Sequence, residues 1–324
     1  MLADERALVV GAGSIGLRHH RVLEGLGLAV DLVSRRPASA ATAGLRTHSD
    51  LRAAILSIRP TYVVIANETA AHLDALSVLG EAGFAGTVLV EKPFLAAPAR
   101  ISFAELPFRA AAVGYQLRFH PLVSAVRDSL KGAEILTLGA AVGQHLARWR
   151  PGRAMADTSS ARLEDGGGVL RDLSHELDLV LWLAGGWKRV CALGGRSGAL
   201  GPDVMTDDRW GILLDQESGA VTTIQIDALD HVGRRSLSVV AADRSIVADL
   251  LTGSLVYGGP DDERRDRFAV DRDEVFSDMH RALLDGAPDE RLCSLAEGMA
   301  VVELIDAVER SVATGGWVVR DPSR

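Results

Sequence analysis

The sequence predicts an α/β chain in which a doubly wound parallel sheet is followed by an α+β domain built on a large, mostly antiparallel open sheet. Three observations predict it. Short, continuously apolar runs alternate with longer Ala/Leu-rich segments through the first part of the chain, up to Val90. A glycine cluster, Gly11 to Gly16, stands directly between the first such run and the first helix-like segment. Beyond Arg189 the pattern gives way to short strand-like runs separated by Gly, Asp or Asp-Arg turns, which reads as antiparallel pairing.

Taken in order, strands are expected at Leu8–Val10, Val30–Val33, Tyr62–Ala66 and Thr87–Val90, and helices at Ile15–Leu26, Leu51–Ile58 and Ala70–Glu81. Strands without polar alternation suit burial on both faces, as in a parallel sheet covered by helices. After Gly114 a helix is expected over His120–Leu130 and a strand over Glu134–Gly143. A polar stretch, Gln144 to Gly168, leads into one apolar helix, Val169–Leu183. Strands follow at Trp210–Leu214, Ala220–Ile226, Leu237–Ala241 and Ser245–Leu250, and helices at Glu274–Leu284 and Leu295–Thr314 close the chain. The expected domains are 1–115, 116–294 and a C-terminal helix and tail, 295–324, packing back near the first.

Composition narrows the function. A chain of 324 residues suits about two domains and needs no disulfide or metal to fold. At 48% hydrophobic and 24% charged it has the balance of a soluble globular protein. The net charge of −8 argues against nucleic-acid or membrane-surface partners, and the short basic clusters Arg35-Arg36 and Arg264-Arg265 do not extend into a stripe. Cys191 and Cys293 stand far apart, which offers no metal-ligand spacing and suits a reducing compartment. With no export signal or long apolar span in view, a soluble cytoplasmic protein is expected.

Gly11-Ala12-Gly13-Ser14-Ile15-Gly16 is a G-x-G-x-x-G motif following a strand and opening a helix. Such glycines serve a tight turn, close approach of a pyrophosphate and helix–strand packing, while amides at the helix start hold phosphate. The motif therefore implies a Rossmann dinucleotide site, with Gly11, Gly13, Ser14, Ile15 and Gly16 in contact with the ligand. An NAD site usually has an acidic residue about 20 residues further on, for the ribose hydroxyls. Here the second strand runs into Ser34-Arg35-Arg36, and Asp31 lies too early. A hydroxyl and two guanidiniums suit a 2′-phosphate, so NADP is the expected cofactor, with NAD the other candidate.

Three further segments carry a family resemblance. Val63 to His72 (VVIANETAAH), Val90-Glu91-Lys92-Pro93 and Gly166 to Asp178 (GGGVLRDLSHELD) resemble motifs of the glucose–fructose oxidoreductase, inositol dehydrogenase and MocA (Gfo/Idh/MocA) family. With the glycine motif and Gly114 to Phe119, the resemblance spans nearly the whole chain. It implies a Rossmann domain, an open-sheet domain that builds homodimers or homotetramers, and oxidoreductase chemistry on a sugar, nucleotide sugar or cyclitol. It adds Asn67, His72, Glu91 and Lys92 to the cofactor set. It also makes Lys92, His175 and Asp172 the catalytic residues, and Gln116, Arg118, His120, Trp149 and Asp178 substrate contacts. A redox-neutral glycosidase or lyase, and a silent NADP-binding regulator, are the competing functions.

The residues support these roles on their own terms. Lys92 ends a buried strand, where ligands of such folds gather. His175 has an ordinary pKa near 6.5, suited to moving a hydroxyl proton. Asp172, His175 and Asp178 recur every three residues, and on one helix they share a side. Arg150 and Arg162, in the polar stretch, can hold a carboxylate or phosphate. The chain departs from the family's Asp-x-x-x-His spacing: four residues before His175 stands Arg171.

Overall fold

A computed structural model describes residues 5–35, 40–149, 152, 154–162, 166–260 and 262–321. By packing, the chain divides into Met1–Phe119 with Asp271–Met299, and His120–Val270 with Ala300–Arg324. Of the stretch Asp271–Met299, which counts here with the first unit, the sequence reading grouped residues up to Ser294 with the second domain and the rest with the C-terminal segment.

The first unit begins with β1 (Arg6–Val10), α1 (Ser14–Gly25), β2 (Ala29–Val33), β3 (Thr47–His48), α2 (Leu51–Ile58), β4 (Tyr62–Ile65), α3 (His72–Glu81), β5 (Thr87–Val90) and β6 (Ala110–Val113). The strands form one sheet in the order β3-β2-β1-β4-β5-β6, and every neighbouring pair is parallel. Every residue of β4 and β5 is buried, as their unbroken apolar character requires. The order reverses between β1 and β4, which makes the carboxyl ends of these strands the place for a ligand. Two strands of this sheet went unseen in the sequence. β3 is two residues long, and the Ala-Ala-Ala-Val of β6 lacks β-branched residues until its end, so pairing with β5, rather than propensity, makes it a strand.

The second unit contains α4 (Pro121–Ser129), β7 (Ile135–Gly143), α5 (Val169–Asp172), α6 (His175–Ala184), β8 (Trp187–Gly195), β9 (Arg209–Gln216), β10 (Val221–Asp227), β11 (Arg234–Ala241), β12 (Ser245–Asp249), β13 (Ser254–Gly258) and β14 (Glu263–Arg267). With β15 (Val318–Val319) they build a nine-stranded sheet, β14-β13-β12-β11-β7-β10-β9-β8-β15. Only β7 and β10 pair in parallel. Alternate residues such as Trp210, Ile212 and Leu214 are buried, on the face that α4, α5 and α6 cover. The other face carries a cross-strand row, Cys191, Leu213, Thr223, Gly139, Ser238 and Val247. The outer strand β14 is wholly charged (ERRDR), which discourages pairing with another edge.

The expected helix Val169–Leu183 is two helices. Between α5 and α6 the turn tightens: the amides of Ser174 and Glu176 reach carbonyls only three residues back, both at 3.4 Å. Asp172 ends one helix and His175 starts the next, so the expected single helical face does not run through both.

The chain then returns to the first unit with α7 (Arg272–Asp285), which packs on α1 and β6. In α8 (Leu295–Thr314), Ser294 and Glu297 form a reciprocal capping box, with Ser294 N–H donating to Glu297 at 2.8 Å and Glu297 N–H to Ser294 Oγ at 3.2 Å. No helix among the described residues is long and apolar enough to cross a membrane.

Candidate active site

The glycine loop occupies the carboxyl end of β1, and its three glycines have three different reasons. Gly11 has φ +108°, and a Cβ there would lie 2.5 Å from the Ala66 carbonyl oxygen. At Gly16 a Cβ would lie 1.9 Å from the Gly11 carbonyl oxygen, so glycine lets α1 close on the loop. Gly13 is different: its backbone is ordinary extended chain and a Cβ would meet nothing within 4 Å. It caps α1 with no side-chain bond, and no acidic residue stands in the helix's first turn. Open space in front of uncapped helix amides is what a diphosphate needs, so the residues present fit a dinucleotide.

In the middle of β2 the carboxylate of Asp31 is already engaged, accepting from Arg46 at 2.7 Å and facing His48 Nε2 at 3.0 Å. The strand runs on into Ser34, whose N–H bonds the His48 carbonyl, and the exposed Arg35. Arg36 lies outside the described residues. Asn67 follows β4, with Nδ2 directed at the Ala71 carbonyl at 3.5 Å.

Glu91 and Lys92 follow β5, and the Lys92–Pro93 bond is cis. Lys92 is partly exposed, whereas Glu91 is buried and turned inward, one oxygen on His19 Nε2 at 2.9 Å and the other accepting from Lys92 N–H at 3.0 Å. Burial pushes the Glu91 carboxyl up, but His19 and the Lys92 charge outweigh it and hold it below the ordinary value. His72 is buried at the start of α3, with Nδ1 3.0 Å from the Phe94 carbonyl. Burial lowers its pKa, and the ring lies between the Phe94 carbonyl and the Asn67 carbonyl, 3.3 Å from Nε2, tying α3 to the turn beyond Pro93. Gln116 is buried in the turn Gln116–Phe119, and the fully buried Arg118 there bonds Glu297 of the capping box at 2.9 Å.

In the second unit, His175 and Asp178 are buried on the first turn of α6, and Asp172 is half-buried at the end of α5. Arg171, at the position where the family motif has Asp, forms a two-pronged pair with Glu309. Glu176 pairs in the same way with Arg235, at 2.8 and 3.0 Å. Trp149 Nε1 donates to the Gln144 carbonyl at 2.9 Å, and Arg162 is half-buried in the polar stretch. Arg150 lies outside the described residues.

Sequence reasoning missed Asp207. It accepts from Leu170 N–H at 2.9 Å and Trp210 Nε1 at 2.6 Å, capping α5 from a distant loop. Gly168 before that helix has φ +122°, and a Cβ there would lie 2.0 Å from Asp207 Oδ1. Only the tertiary fold joins these positions, so no local pattern could reveal them. Gly168→Ala is expected to cost about 1–3 kcal/mol, the scale of left-handed strain, measured by urea unfolding.

His120 also has a structural duty. It caps α4, accepting from Leu122 N–H at 3.2 Å, with Pro121 in the first helical position. Burial, and then the charge of Arg235, lower its pKa from 6.5 to about 4. Between those values the unfolded chain binds more protons, so this stability is complete above about pH 6.5 and is lost as pH falls towards 4. We expect the melting temperature of the wild type to fall more steeply over that window than that of His120→Asn, which keeps a capping acceptor. Parallel curves would remove His120 from the account.

Loop, sheet order and appended sheet together define a Rossmann-type chain with an open-sheet domain. A family model described as the GFO/IDH/MocA C-terminal domain matches residues 131–247. Several solved structures share the fold of both units. A levoglucosan dehydrogenase in complex with NADH and L-sorbose aligns with TM-score 0.83 at 19% identity, over 99% of this chain and 100% of that one. GenD2 from gentamicin A biosynthesis, in complex with NAD, gives 0.79 at 22%, over 99% and 97%. UDP-N-acetylglucosamine 3-dehydrogenase GnnA from Acidithiobacillus ferrooxidans gives 0.77 at 21%, over 95% and 98%. No curated protein sequence matches the chain.

Proposed function

We propose that this chain is an NADP-dependent oxidoreductase that moves a hydride between the nicotinamide and a hydroxyl or carbonyl carbon of a sugar, nucleotide sugar or cyclitol. The observation that carries the reading is the carboxyl edge of the first sheet. There the uncapped, glycine-lined start of α1 follows β1 and Lys92 follows β5. The sugar and nucleotide-sugar dehydrogenases among the solved structures support the substrate class.

The glycine loop binds the diphosphate through its amides. The bound nicotinamide supplies the hydride chemistry. Lys92 donates to the reacting oxygen and stabilises the negative charge that develops on it. His175 takes the hydroxyl proton in the oxidative direction and returns it in the reductive one. Asp172, three residues before it, orients the ring. A screen of sugars, nucleotide sugars and cyclitols, following absorbance of the reduced nicotinamide, tests the reading. Net cofactor turnover with none of them defeats the reading.

NADP is favoured over NAD because Asp31 is committed within the sheet and Ser34, Arg35 and Arg36 follow it. The GenD2 and levoglucosan dehydrogenase structures carry NAD or NADH, so the prediction is specific to this chain. NADPH is expected to bind at least about tenfold more tightly than NADH, roughly 1.4 kcal/mol, and Arg35→Ala with Arg36→Ala to narrow the gap. Equal affinities in calorimetry would end the NADP assignment.

The open sheet face exposes Leu193 (81%), Val247 (53%) and Val221 (52%). Apolar surface of this kind is commonly covered in an oligomer, and we assign the face to a homodimer or homotetramer contact. Light scattering showing only monomer at micromolar concentration would contradict this.

A further inference from the structure

Four buried polar side chains of the first unit form one continuous hydrogen-bonded line. Glu91 Oε1 meets His19 Nε2 at 2.9 Å, His19 Nδ1 meets His280 Nε2 at 2.9 Å, and His280 Nδ1 meets Tyr62 Oη at 2.7 Å. They come from the end of β5, from α1, from α7 and from β4. His19, His280 and Tyr62 are completely buried and Glu91 is 4% exposed. Phe276, one turn before His280 on α7, packs edge-on to His19 with ring centroids 5.3 Å apart.

Donor counting gives the line a direction. An ionised Glu91 only accepts, so His19 carries its proton on Nε2. In a neutral ring its Nδ1 then accepts, which places the His280 proton on Nε2 as well. The remaining His280 Nδ1 accepts from the Tyr62 hydroxyl. Each junction then has one donor and one acceptor with neither ring charged; a doubly protonated His19 would also keep the carboxylate, but it would turn His280 round and leave the Tyr62 hydroxyl proton with no acceptor in the line. Burial lowers the His280 pKa far below the usual histidine value and raises that of Tyr62, in keeping with neutral forms at both. A buried line of this kind is costly to interrupt, because the stranded polar atom has no water to replace its partner.

We propose that His19, His280 and Tyr62 are positioning residues that clamp the Glu91 carboxylate and thereby set the main chain of Lys92. The clamp has three sides. His19 holds one Glu91 oxygen, Lys92 N–H donates to the other, and a Cβ at Gly114 would lie 3.0 Å from Oε1, so glycine leaves the carboxylate its place. The proposal rests on the reading of Lys92 as the group that polarises the reacting oxygen. It adds that the geometry of that lysine is fixed from inside the domain.

The test has two arms. In the first, long-range 1H–15N spectra of the free full-length protein report histidine tautomers, with His19 and His280 assigned by single substitution. Both are expected neutral with the proton on Nε2 at pH 7; a charged ring, or a proton on Nδ1 of either, overturns the line. In the second, kinetics with a substrate found in the screen are normalised to active sites counted by NADPH binding. His19→Leu is expected to lower kcat about tenfold or more, with KM and NADPH affinity changed less than about threefold. His19→Gln, whose amide can donate in place of Nε2, recovers most of that loss. If His19→Leu does not fold, Tyr62→Phe carries the arm: it removes one hydroxyl, shifts the His280 Nδ1 resonance and lowers kcat about threefold. Unchanged kcat in His19→Leu, or in Tyr62→Phe where that stands in for it, overturns the positioning role while Lys92→Ala remains inactive. If Lys92→Ala is itself fully active, the reading of the reaction fails, and with it the positioning role; the tautomer result stands independently.

Discussion

Lys92→Ala and His175→Ala are each expected to lower turnover about a hundredfold or more, the scale at which general acid–base and electrostatic groups act. NADPH affinity should move far less, because the loop at α1 and the residues after β2 supply that binding. The two losses should differ in form. Without Lys92 the developing charge on the oxygen is unsupported at every pH, so kcat falls with its pH profile otherwise kept. Without His175 the proton must leave to water, and the limb of the profile that reports the base disappears. Asp172→Asn separates two further possibilities. An intermediate loss means that Asp172 orients His175 across the tightened turn, and no loss means that the break between α5 and α6 has uncoupled them. Near-full turnover in His175→Ala on a true substrate would remove it from the mechanism.

The sequence showed most of the fold because the fold depends on local signals. The apolar runs of β1, β2, β4 and β5, and the glycines before α1, each follow from short-range chemistry. So do the alternating residues of β9, β10, β11 and β12. The unreadable parts depend on distant partners. The return of α7 to the first unit is written in His280 and Phe276, whose contacts are His19 and Tyr62 far earlier in the chain. The break after Asp172 lies within an unbroken apolar pattern, where periodicity gives no sign of two long hydrogen bonds. Among the expected substrate contacts, Arg118 and His120 proved to have structural partners, Glu297 and the α4 amide. A charged or imidazole side chain in a motif looks the same whether it faces a ligand or a helix terminus. Glu91 shows the same ambiguity, since the sequence reads it toward the cofactor while the structure turns it toward His19.

The glycine loop offers the other large effect, in which stability and binding should move in opposite directions. Gly13 has φ −76° and ψ −179°, a conformation open to any residue, and its Cβ would meet nothing within 4 Å. The fold alone gives no reason for glycine there. Aspartate is among the best residues for the position before a helix, improving on or matching glycine by a few tenths of a kcal/mol, and α1 has no side-chain cap at present. Gly13→Asp should therefore keep or slightly raise the melting temperature. The same carboxylate would occupy the diphosphate's space and repel its charge, so NADPH affinity should fall at least about a hundredfold, roughly 2.7 kcal/mol. Gly16→Ala provides the contrast. Its Cβ would lie 1.9 Å from the Gly11 carbonyl oxygen, and overpacking of that kind costs about 1–3 kcal/mol, so this variant should lose stability first and binding as a consequence. Thermal unfolding and NADPH titration of the two proteins side by side decide the matter. Gly13→Asp with undiminished affinity would mean that the open space before α1 is not where the dinucleotide's phosphates bind.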